Sequence, residues 1–205
     1  MSATGYILSV LTGGLAGSVL TLLSQSFLRW WRRPILEIVF QSGEPGCDVK
    51  THGFRVDERG KPILDGGKPI EVQQRCLRLK LKNGGKTFAE NCSVNITEIG
   101  FKAPGQGSKV FEEEVLELRL ALTGSTSFNL ASGGHRFLDI AHTEDSLQGH
   151  SFGFDAAQIP VRLGRQGFGV GTFTMKVFAA ANNAASVSRE VKWSYDGQAG
   201  GVRIV

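Results

Sequence analysis

The chain reads as mainly β, with one N-terminal transmembrane α-helix followed by an antiparallel β-sandwich. Three observations predict this. Residues 1–28 contain no Lys, Arg, Asp or Glu, and Arg29-Trp30-Trp31-Arg32-Arg33 follows at once. Beyond Pro34, apolar residues recur at every second position rather than with the 3.6-residue period of a helix. Finally, 27 glycines against 2 methionines and 6 prolines supply many turns rather than many helices. The expected organisation is a short tail at 1–5, a helix at 6–28, a basic aromatic juxtamembrane segment at 29–34, and a β-sandwich at 35–205. An insert interrupts the last of these at about 42–70.

The helix is argued from length and flanks. Tyr6 to Leu28 gives 23 uncharged residues, about 35 Å of helix at ~1.5 Å per residue, against a hydrocarbon core of about 30 Å. Tyr6 stands at one end and Trp30-Trp31 at the other, where amphipathic rings favour the headgroup level. Ser9, Thr12, Ser18, Thr21, Ser24, Gln25 and Ser26 dilute the segment, but a hydroxyl can bond back to the helix backbone. A secretory signal would carry its positive charge before the apolar run and a small-residue cleavage site after it; here the charge follows. Basic residues are held preferentially on the cytoplasmic side, so Arg29, Arg32 and Arg33 predict N-terminus out and sandwich in. The expected location is the cell inner membrane, with the lipid bilayer as first partner. Gly13-x-x-x-Gly17 and Gly14-x-x-x-Ser18 put small residues on adjoining faces, a spacing that lets two helices approach closely and makes a homo-oligomer one expectation.

The strands follow in order. Pro34 ends the helix and opens 34–40. Residues 75–83 alternate cleanly, with Leu77, Leu79 and Leu81 on one face and Arg78, Lys80 and Lys82 on the other. Residues 91–99 turn Cys92, Val94 and Ile96 inward. Asn83-Gly84-Gly85 between them is read as a turn tolerating positive φ. Further strands are expected at 115–122, 135–140, 171–179 and 186–195; in the last, Val187, Val191, Trp193 and Tyr195 share a face that Arg189 interrupts. Strands with one apolar and one charged face are half-buried, so two sheets must pack face to face. Within 42–70, the GKPI tetrapeptide occurs twice, and 60–70 looks like a hairpin or mobile loop around Asp65-Gly66.

"LRLKLKNGGKTFAENCSVNI", "FNLASGGHRFLDI" and "GVGTFTMKVFAAANNAASVSREVKWS" together resemble immunoglobulin-like domains of the CARDB type. The shared elements are a strand ending in Asn-Gly, an Ala-x-Asn-Cys strand start, a Leu-x-x-Gly-Gly turn and a final strand ending in Trp. They cover roughly 75–195. The likeness is closest to poorly characterised bacterial proteins that carry such a domain behind one N-terminal helix. It implies an immunoglobulin-like sandwich and brings no catalytic residues.

Chemistry is sparse. Gly85-Lys86-Thr87 ends like a phosphate-binding loop, but Lys80 stands where the first glycine is required. The glycines at 164, 167, 169 and 171 read as a turn or bulge. Cys47, Cys76 and Cys92 form neither a disulfide framework nor a zinc pattern, and the latter two read as buried small hydrophobes. His135, Asp139, His142, Glu144, Asp145 and His150 have a composition a metal could use, yet no metal-ligand spacing; the last four are expected in a loop after the 135–140 strand. No cofactor or catalytic residue is expected. Of the net charge of +4, three belong to the juxtamembrane arginines and leave the remainder near +1, so no nucleic-acid partner is expected. The expected role is non-enzymatic: a tethered sandwich binding a protein partner near the cytoplasmic membrane face, with the 42–70 insert as the suspected surface. A stress or defence sensor whose helix self-associates is the alternative, and a metal-dependent hydrolase a remote third.

Overall fold

The computed structural model describes residues 18, 20–28, 30–55, 57, 61–111, 116–121, 123–146, 149–154, 169–198 and 201–205. Residues 18, 20–28 and 30–32 are helical. Strands follow in chain order: β1 Leu36–Val39, β2 Asp48–Phe54, β3 Leu64–Asp65, β4 Lys68–Pro69, β5 Glu71–Asn83, β6 Ala89–Lys102, β7 Lys109–Phe111, β8 Leu116–Glu117, β9 Arg119–Leu120, β10 Phe128–Leu130, β11 His135–Ser146, β12 Gly149–Phe154, β13 Gly171–Ala181, β14 Ala184–Tyr195 and β15 Val202–Ile204.

Two antiparallel sheets carry the fold. One runs β1-β5-β11-β12, with β2 also on β5 and β9 on β11; the other runs β10-β6-β13-β14-β15, with β7 and β8 on β6. The period-two pattern explains why they pack together. Leu77, Leu79 and Leu81 of β5 are fully buried, as are Cys92, Val94 and Ile96 of β6, and all six belong to one core shared by both sheets. The core centres on aromatic rings: Trp193 stacks on Phe173 at 4.1 Å and 10°, and Phe154 meets both edge-on. Offset stacking and edge contacts are the favoured aromatic geometries. Arg189 breaks the inward face of β14 because it has a partner across the sheets: its guanidinium donates to the Ile38 carbonyl of β1 at 2.6 Å.

Several expectations need correction. The 115–122 segment is not one strand. β8 pairs with β6 and β9 with β11, so the chain changes sheets around Leu118, which is buried and donates its N–H to Val94 at 2.9 Å. Alternation alone cannot reveal such a crossing, because Leu116, Leu118 and Leu120 keep the same period through it. Part of the 42–70 insert, β2, is built into the sheet. β1 pairs with Lys80–Asn83 and β2 with Glu71–Leu77, so both lie in tandem along one edge of β5, and Asp48 forms a two-pronged ion pair with Arg75. The expected hairpin around Asp65-Gly66 is present as β3-β4, closed by Gly66 and Gly67 at φ +56° and +84°, the geometry of a two-residue turn with both central φ positive.

The histidine-rich segment also differs from expectation. β11 runs on to Ser146 instead of ending near Ile140, so His142, Glu144 and Asp145 are on that strand and His150 is on β12. A bulge between Asp139 and Ala141 buries both Ile140 and Ala141 and resets the alternation. His135 and Asp139 precede it on the same side; Asp139 accepts from Arg78 at 2.7 Å. Among the described residues no group of His, Cys, Asp or Glu could hold a metal ion. Cys92 is buried as expected, but Cys76 is only half-buried, whereas Cys47, in the turn before β2, is fully buried.

Candidate functional site at the helix junction

The described part of the helix presents leucines to the outside. Leu20, Leu22 and Leu23 are 67%, 64% and 63% exposed, and Phe27, Leu28, Trp30 and Trp31 are exposed as well. Ser24 donates its hydroxyl to the Thr21 carbonyl at 2.9 Å, the back-bonding that lets a hydroxyl sit in an apolar helix. Among the described residues no helix is long and apolar enough to cross a membrane. The expected 6–28 span falls largely on residues 6–17 and 19, outside the described ones. Tyr6, Gly13, Gly14, Gly17 and Arg29 lie there too; Ser18, Trp30, Trp31, Arg32 and Arg33 are described, and all five are exposed.

At its C-terminal end the helix is gripped by the turn between β5 and β6. Thr87 donates its hydroxyl to the Arg32 carbonyl at 2.8 Å, satisfying one of the acceptors a helix end leaves unpaired. Lys86 places its ammonium 4.4 Å from the centre of the Trp31 ring, and Arg33 lies 5.7 Å over Trp30, both within cation–π range. Phe27 packs on both tryptophans at about 6 Å. Pro34 is buried against Gly85, where an added Cβ would fall 2.6 Å from the Pro34 Cα and the Ile35 nitrogen. Neither Gly84 nor Gly85 has positive φ, so the expectation for this turn was wrong in its reason: Gly85 is needed for close approach of two backbones, not for a left-handed bend.

Beneath the turn sits Asn83, one of the few buried polar side chains, at 1% exposure. Its amide donates to the Thr87 carbonyl at 2.7 Å and the Leu130 carbonyl at 3.1 Å, and its carbonyl accepts from the Ile35 N–H at 3.1 Å and the Gly85 N–H at 3.0 Å. One side chain thus joins the helix exit, the 84–88 turn and the end of β10. Ser132 adds a bond to the Gly85 carbonyl at 2.7 Å. From the β13-β14 hairpin, Asn183 donates to the Phe88 carbonyl at 2.9 Å and accepts from the Glu90 N–H at 3.0 Å. A cleft of about 590 Å³ opens between helix and domain, lined by Gln25, Leu28, Arg32, Arg33, Pro34, Thr87 and Asn183.

Sequence reasoning identified the tryptophans and arginines here and missed Asn83, Gly85, Lys86, Thr87, Phe88 and Asn183. No local signal joins 84–88 to 32–35. A buried Asn at the end of a clean strand pattern was the one visible clue. No family model, curated protein or solved structure matches the chain.

Proposed function

We propose that the protein is a single-pass, membrane-tethered interaction module: an immunoglobulin-like sandwich of the CARDB type, held against the cytoplasmic face of the inner membrane and presenting a sheet edge to a protein partner. The observation that carries this reading is the exposed leucine helix leading into Trp30-Trp31-Arg32-Arg33 and seated on a β-domain through a built junction. Leucines exposed to this degree would be costly in water and are at home in lipid. Two antiparallel sheets over one core, with Trp193 at its centre, support the immunoglobulin-like reading. The recognition surface we favour is β2. Among the described residues it pairs with β5 alone, and Lys50, His52 and Phe54 are exposed along it; an open strand edge is a common platform for an extended peptide.

Extraction at alkaline pH followed by flotation tests the tether. The full chain should stay with the membranes until detergent is added, and release without detergent would contradict the reading. Deleting 42–70 would not test the partner surface, because that removes β2 and the Asp48–Arg75 pair with it. Replacing Lys50 and His52 together with Glu keeps the strand; partner capture should fall while the melting temperature holds.

A further inference from the structure

We propose that the 84–88 turn is a second membrane contact, and that Lys86 and Phe88 join Arg32 and Arg33 in binding the anionic phospholipid headgroups around the helix exit. This rests on the tethered reading above and adds to it a surface from a distant part of the sequence. Depth comes first. Lys86 lies 4.4 Å from the Trp31 ring and Thr87 is bonded to the Arg32 carbonyl, so whatever level in the bilayer the tryptophans take, the turn takes as well. Tryptophans at the end of a span favour the headgroup level.

Phe88 is the second observation. It is 58% exposed although Ala89 beside it is fully buried. Its backbone is held in that position, since Asn183 clamps the Phe88 carbonyl and the Glu90 N–H, and the Asn182 N–H reaches the Glu90 carbonyl at 2.9 Å. An exposed aromatic ring two residues from Lys86, on a backbone held in place, is positioned to enter the interface.

Charge supplies the third. Arg32, Arg33 and Lys86 are all exposed, and among the described residues the cleft between helix and domain takes its cations from the two arginines and has no acidic residue in its lining. Glu37 and Glu90, each three residues from a lining residue in the sequence, are not part of it. Phosphodiester headgroups match a guanidinium pair of this kind, and anionic lipids concentrate in the cytoplasmic leaflet.

The test uses the full chain in nanodiscs of phosphatidylcholine, with or without phosphatidylglycerol, and Cys76 replaced by Ser. A spin label at Phe88→Cys should be shielded from a water-soluble nickel relaxant in the anionic discs. High salt, or the added Lys86→Glu change, should expose it again, since surface attraction is screened within about 8 Å at physiological ionic strength. In a chain that keeps Phe88, photoactivatable phosphatidylglycerol should cross-link the 84–90 peptide, and Lys86→Glu should cut the yield severalfold. A label at Leu22→Cys separates the two claims. If Leu22 is immersed while residue 88 is equally water-exposed in both lipids, the tether stands and the second contact is overturned; if Leu22 itself is water-exposed, both fall.

Discussion

Asn83 concentrates four hydrogen bonds in one buried side chain, and the consequences can be separated by substitution. Asn83→Leu keeps the branched outline, with somewhat greater bulk, but strands two N–H groups and two carbonyls. Each buried unsatisfied group costs about 1–3 kcal/mol, so a loss of roughly 3 kcal/mol or more is expected in urea unfolding of the protein in detergent. Asn83→Asp keeps the two acceptor contacts to Ile35 and Gly85 and turns a carboxylate oxygen toward the Thr87 and Leu130 carbonyls. That environment disfavours the charged form and would raise the carboxyl above its unfolded value of about 3.9. A raised acid binds its proton more tightly when folded, so its stability is full below the unfolded value and is lost as pH rises from there through the folded one. The deficit of Asn83→Asp against the native chain should therefore be largest above the folded value, shrink as pH falls through it, and be smallest below about pH 4. A deficit independent of pH would show that the carboxyl is not held in this network.

At the scale of elements, the junction works because β5 hands the chain to a turn that fits under the helix exit. Gly85→Ala places a methyl against the Arg33 carbonyl and Pro34, and the junction must open to accept it. Overpacking of this kind costs about 1–3 kcal/mol. The specific readout is local: amide exchange at Ile35 and Gly84, whose N–H groups bond Asn83 and the Ile35 carbonyl, should quicken while that of β13 stays slow. Uniform acceleration would mean a general loss of stability instead. The elements themselves were legible to different degrees. The sheets were visible because residues such as Leu79 and Lys80 have opposite fates on one strand, and the β3-β4 turn was one of the two readings, hairpin or mobile loop, that Asp65-Gly66 allowed. The crossing at Leu118, the bulge near Ile140 and the place of β2 beside β5 were hidden, since each is fixed by a distant strand and leaves the local alternation intact or uninformative. The junction was half legible: its aromatic and basic residues are adjacent in sequence, but the turn that grips them lies some fifty residues away.

At the scale of the whole molecule, the described residues join a helix to a β-domain at one built end, where Arg32 and Arg33 are both exposed. The three cysteines make sidedness measurable. Cys47 and Cys92 are buried, and burial pushes both thiols up, away from the reactive thiolate; half-buried Cys76 on β5 is the most exposed of the three. The most direct measurement is maleimide labelling of Cys76 in intact and permeabilised cells, with denatured protein as the control for Cys47 and Cys92. A tethered cytoplasmic sandwich predicts no labelling in intact cells and labelling of Cys76 on permeabilisation, lost in Cys76→Ser. Labelling of Cys76 in intact cells by a reagent that cannot cross the membrane would place the sandwich outside and contradict the account.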